Sequence, residues 1–179
     1  EDAALLIDDG MTVAVGGYTP AGYPKVVPLA LSRRAQASPG FGINLIAGAN
    51  VGPEVDAALA GAGAIKRRLP FQSDSVLRKQ INEGKIKYVE AKLGKFPLVL
   101  RAGWLGKIDV AIVEATAITE DGQIVPSTSV GPAAVFVSIA EKVIVEINVA
   151  QPARLEGFHD VYLLPYPPDG SAVPLKDIS

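Results

Sequence analysis

The chain has 179 residues, 49% hydrophobic and 6% aromatic, with a formal net charge of −2. That is enough for one domain with a sizeable core. It has no basic block, and no run approaches the ~18 apolar residues of a membrane span, which argues against nucleic-acid and membrane partners. There are no cysteines and one histidine, His159, which excludes disulfides, thiolate zinc sites, a cysteine nucleophile and multi-histidine metal sites. A lone histidine is read first as structural. The chain opens "EDAALLIDDG", with neither an initiator Met nor the apolar core of a signal peptide, so further sequence on either side is expected. The lack of cysteine fits a reducing, cytoplasmic compartment, with the mitochondrion as the alternative for a eukaryotic source.

Residues 2–9 read as a short helix ending at Gly10, and "MTVAV" (11–15) as the first strand. "VGGYTPAGYPKVVP" (15–28) follows, with three glycines and three prolines. A plain connection needs only about 2–6 residues; this glycine density suits a loop whose backbone approaches a ligand closely. A helix is expected over 24–37, with Pro24 or Pro28 in its first turn. "GINLIAG" (42–48) is the second strand, 54–61 a helix and 64–69 a strand. Ser73 or Asp74 caps a helix ending near Gly84. "KIKYVEA" (85–91) is ambiguous between strand and loop.

"KIDVAIVEATAI" (107–118) is the clearest buried strand, and Asp121-Gly122 after it is a hairpin signal. Residues 131–140 read as a helix with Pro132 at its first position, and 142–148 as the last strand. This alternation predicts an α/β fold over residues 1–150, a parallel-dominated sheet flanked by helices. Residues 151–179, proline-rich and aperiodic, read as an exit segment or linker.

In such sheets ligands bind beyond the carboxyl ends of the strands, where the glycine-rich and polar segments fall repeatedly. Gly17 and Gly22 have the spacing of a phosphate loop, but Tyr23 and Pro24 replace the required Lys and Ser/Thr, so a nucleotide site is rejected. What remains is a wide backbone loop with Thr19 and Tyr23 as polar handles. "LIAGANVGP" sets Gly48 and Asn50 before one helix. "PSTSVGP" sets Ser127, Ser129 and Gly131 before another, and free N–H groups at such places favour an anionic or carbonyl oxygen. Glu114, late in the most buried strand, reads either as a nucleophile or base, or as a carboxylate held by backbone N–H groups or an arginine.

"GYTPAGYPKVVPLAL" resembles the opening signature of the acetyl-CoA hydrolase/transferase family. "LIAGANVGPEVDAALA", "RRLPFQSDSVLRKQINEG", "VEATAITEDGQIVPSTSVG", "AEKVIVEIN" and "LEGFHDVYLLP" are similar to further blocks of that family, in the same order. The resemblance implies a CoA-transferase-type α/β fold made of two related halves, of which this chain is the amino-terminal one. It also implies a glutamate nucleophile and a glycine-rich CoA loop in the other half, so that no catalytic residue is expected here. CoA is then a substrate, with no cofactor or metal, and the partners are an acyl-CoA and a small carboxylate such as acetate or succinate, commonly in a homodimer.

Residues Gly17, Thr19, Gly22, Tyr23, Gly48, Asn50, Ser73, Ser127, Ser129 and Gly131 would line the acyl/carboxylate pocket. Asn50 stands where relatives often carry a small hydroxyl residue, and acyl preference turns on such positions. Two other readings are a non-catalytic module sensing acyl-CoA or a sugar phosphate, and a sugar-phosphate isomerase acting through Glu114.

Overall fold

Short runs of Val, Ile, Leu and Ala, too brief for helices and apolar on both sides of the pleat, form buried parallel strands here. The computed structural model describes residues 1–49 and 52–163. Its strands are β1 (Thr12–Val15), β2 (Ile43–Ala47), β3 (Ile65–Leu69), β4 (Lys87–Tyr88), β5 (Ile108–Ile118), β6 (Ile124–Pro126) and β7 (Ala140–Ile147). The helices are α1 (Val26–Ala37), α2 (Asp56–Gly61), α3 (Ser75–Asn82), α4 (Phe96–Arg101) and α5 (Ala133–Ile139).

The sheet runs β4-β3-β2-β1-β5, with β7 also pairing β5. Every pairing is parallel except β5 with β6, the antiparallel arm turned by Asp121-Gly122. The chain therefore builds outward from β1 to β4, then returns to the other side of β1 for β5 and β7. Right-handed crossovers in opposite directions put their helices on opposite faces.

The two cores show this, because successive strand residues point to opposite faces. Val13, Val15, Leu45 and Ile112 pack with Leu31 of α1, Leu59 of α2 and Leu77 of α3. Ala14, Ile46, Leu69 and Ala111 pack with Phe96 and Leu100 of α4 and Phe136 of α5.

Several expectations are corrected in detail. The helix expected at 2–9 is a single 3-10 turn, Asp2–Leu6, after which Ile7 is extended. The chain straightens there because Ile7 must reach the core, and Arg34 Nη1 takes up the carbonyls of Ala4 and Ile7 at 2.9 and 2.6 Å. Pro28, not Pro24, lies in the first turn of α1, where its missing N–H has no intrahelical partner to lose. Asp74 rather than Ser73 caps α3, accepting from Leu77 N at 2.9 Å. Pro132 precedes α5 as its cap. Helix α4 was not legible, since Pro97 and flanking glycines mask a one-and-a-half-turn element. The ambiguous 85–91 stretch contributes only the two residues of β4, at the sheet edge beside β3.

Candidate functional site at the strand ends

A sheet that grows in two directions from β1 leaves a crevice where the connections after β1 and β5 part, and ligands bind at such switch points. The glycine loop after β1 begins there, with Gly16 N donating to Ile112 O at 2.8 Å. Three glycine-bearing segments interlock around it. A Cβ on Gly48 would lie 2.4 Å from Gly17 O, one on Gly131 2.7 Å from the same oxygen, and one on Gly22 2.5 Å from Ser129 N. Tyr18 N donates to Ser129 Oγ at 3.1 Å, and Ser129 Oγ donates to Ala21 O at 2.6 Å. Residues 17–23, Gly48 and 129–131 therefore meet. Much of the glycine content serves loop-on-loop packing, and only the outer surface of this cluster is left for a ligand.

Gly22 and Ser129 also line a cavity of about 560 Å3 walled by the β5–β6 hairpin, α5 and residues 156–163, with Glu114 and His159 among its polar groups. His159 Nε2 donates to Ser127 O at 2.6 Å, a structural contact.

Glu114 is buried, and both of its oxygens are engaged. Ser127 Oγ donates to Oε1 at 2.6 Å, and Lys25 Nζ donates to Oε2 at 2.8 Å. The expected partners were backbone N–H groups or an arginine; a lysine and a hydroxyl hold it instead. In the parallel register Glu146 of β7 stands directly beside Glu114. Its carboxylate accepts from Lys25 N at 2.6 Å, Val26 N at 3.0 Å and Val27 N at 3.1 Å, capping α1 in place of a local side chain. Lys25 Nζ further donates to Tyr23 O at 2.7 Å and lies 4.1 Å from the centre of the Tyr23 ring.

The polar handles are used differently from the expectation. Tyr23 is buried and its hydroxyl donates to Glu54 Oε2 at 2.7 Å. Burial first, and that bond second, push its pKa up. Thr19 stands exposed at positive φ (54°), its hydroxyl donating to Tyr18 O at 2.6 Å. Ser127 is buried against Glu114, so it supports the pocket rather than facing into it. Ser73 lies at the same edge of the sheet beyond β3, exposed, and no described contact joins it to the interlocked loops. Asn50 lies outside the described residues.

Sequence reasoning missed Lys25, Glu54 and Glu146. The available signal was one glutamate late in each of two valine/isoleucine strands, "AIVEAT" and "VIVEIN". Such residues are rarely buried unless paired.

Among the described residues no group of acidic or histidine side chains could hold a metal ion, and no helix is long and apolar enough to cross a membrane.

Residues 1–168 match the model of the acetyl-CoA hydrolase/transferase N-terminal domain. The chain is 47% identical over 174 residues to a succinyl-CoA:acetate CoA-transferase of Clostridium kluyveri, covering 97% of this chain and 32% of that protein. It is 37% identical over 179 residues to an acetyl-CoA hydrolase of Schizosaccharomyces pombe, covering 95% and 34%. The chain thus spans about a third of the length of these relatives. Among solved structures, glutaconate coenzyme A-transferase from Acidaminococcus fermentans superposes with a TM-score of 0.60 at 16% identity, covering 81% of this chain and 66% of that one. That likeness establishes the CoA-transferase-type α/β fold.

Proposed function

We propose a function from one premise: this chain belongs to the acetyl-CoA hydrolase/transferase family, as its N-terminal domain. The full protein moves CoA between short acyl groups such as acetyl and succinyl, or hydrolyses acetyl-CoA. A glutamate outside these residues attacks the acyl-CoA thioester and expels CoA thiolate, leaving a mixed anhydride. The thiolate then attacks the glutamyl carbonyl, releasing the first carboxylate and forming a glutamyl-CoA thioester. An acceptor carboxylate attacks that thioester, and returning thiolate completes the new acyl-CoA. The covalent route splits one difficult transfer into easier steps.

These residues wall the pocket in which the steps occur, with Gly22 and Ser129 lining the cavity. Thr19, Asn50 and Ser73 are assigned to the same edge on their position after strand ends. Gly17, Gly48 and Gly131 serve it by allowing the loops to interlock, while Tyr23 and Ser127 brace it from behind. Acetate and succinate are the expected carboxylates, CoA the only further ligand. A homodimer working in acetate metabolism, in the cytoplasm or in a mitochondrion, completes the reading.

The observation that carries this proposal is the meeting of three loops at the β1/β5 switch point, beside a glutamate whose two oxygens are already engaged. Incubating the chain with acetyl-CoA and recording its intact mass tests it. The expected result is no adduct on Glu114, with transfer to succinate appearing only when the remainder of the polypeptide is supplied. A CoA or acetyl adduct mapped to Glu114 would put the nucleophile within these residues and overturn the assignment.

A further inference from the structure

The loop between β1 and α1 contributes Gly22 to the cavity wall, and its two ends are held in different ways. At its start the anchors are neutral: Gly16 N on Ile112 O, and the Tyr18–Ser129–Ala21 bonds. At its end the anchors are to carboxylates and centre on Lys25. Lys25 reaches β5 with its ammonium and β7 with its backbone N–H, and the same ammonium holds the carbonyl of Tyr23.

Two carboxylates side by side on parallel strands repel one another. Glu114 has a side chain 3% exposed, so it requires a positive partner to remain in place. The ammonium answers Glu114 and the first N–H groups of α1 answer Glu146, so the pair of like charges becomes a two-point socket for the loop end. Gly22, three residues before Lys25, lines the cavity along with Glu114. A shift of Lys25 therefore moves the pocket wall directly.

We infer that Lys25, with Glu114 and Glu146, forms a positioning clamp that sets the place of the glycine loop in the cavity wall, and that it governs how tightly the carboxylate-bearing substrate is held. None of the three touches the reacting atoms on this reading; they act through the loop. The inference rests on the proposed CoA transfer, and the experiment separates the two.

In the full-length enzyme, steady-state kinetics of CoA transfer from acetyl-CoA to succinate are measured for the parent, Lys25→Met, Lys25→Arg, Glu114→Gln and the double variant Lys25→Met/Glu114→Gln, each at a temperature well below its own Tm. The clamp predicts that Lys25→Met raises KM for the carboxylate about tenfold or more while kcat falls less. Lys25→Arg should restore most of the loss by keeping the charge. The double variant should lose less than the product of its two single changes, because it leaves neither Lys25 nor Glu114 as an unpaired charge. A merely structural lysine would lower Tm and leave the kinetics of the folded enzyme within about twofold of the parent, which would overturn the clamp. Absence of transfer in the parent would instead overturn the proposed reaction.

Discussion

Two ion pairs in this molecule use the same chemistry for different ends. Arg68 of β3 and Asp56 of α2 are both fully buried, with Nε and Nη2 donating to the two carboxylate oxygens at 2.9 and 3.2 Å. A further guanidinium N–H goes to Leu69 O, so this pair is closed on itself inside the sheet-helix interface. Lys25 and Glu114 make a single-point contact at 2.8 Å, and the lysine side chain is 38% exposed. The first pair has bidentate geometry and no access to solvent, which suits a role in holding β3 against α2. The second has a compact cation on a flexible stem beside a cavity, where small displacements matter more than total stability. Burial alone does not mark a functional charge; what it faces does.

The sharpest break in that comparison is Arg68→Met. It leaves Asp56 buried without a partner and is expected to cost about 3–5 kcal/mol in equilibrium denaturation. Pairing it with Asp56→Leu should recover most of the loss, since a buried ion pair is often no more stabilising than apolar residues of similar volume. If the double variant is as unstable as the single one, packing rather than the unpaired charge sets the cost.

A smaller effect tests the interlocked loops. Gly22→Ala and Gly63→Ala both place a side chain at positive φ, 58° and 70°, but a Cβ meets Ser129 N at 2.5 Å in the first and nothing within 4 Å in the second. The open position should cost about 1 kcal/mol, and the crowded one about 1–3 kcal/mol more. Equal losses in urea unfolding would mean that the loops yield to the added atom.

The smallest effect is confined to alkaline pH. Tyr23 has its pKa raised by burial and then by Glu54, so the folded state keeps its proton after the unfolded chain has released its own. Its contribution is fully present below the ordinary value of 10.0 and is lost as pH rises from there toward the folded pKa. In Tyr23→Phe the decline of Tm above that pH should be shallower than in the parent, with little difference between the two slopes at pH 7–9.

Strands were legible because apolar runs such as Ile108–Ile118 admit little else, and the hairpin because Asp121-Gly122 names its own turn. The glycine segments were legible as a group, since each follows a strand end. Their reason was only half legible: glycine density tells of a close approach without telling what approaches, and here much of it is other backbone. Lys25 and Glu146 escaped because the start of α1 meets β7 across 121 residues of sequence. No local pattern encodes that. Ser127 was found as an expected ligand group, whereas its hydroxyl is consumed inside the protein by Glu114.

The pairing of Glu114 with Glu146 also bears on how the chain finds its native alignment. β7 carries partly exposed valines and isoleucines along much of its length, and such a strand has weak preferences for which neighbour faces which. A slip of one residue would turn Glu146 to the opposite face; a slip of two would bring Ile144 or Asn148 opposite Glu114. Neither an isoleucine nor a neutral amide can collect three backbone N–H groups as the carboxylate does. Misaligned sheets would leave the start of α1 without the carboxylate that caps it. The charged socket therefore favours the native register over shifted pairings that the apolar sequence of the strand would otherwise tolerate.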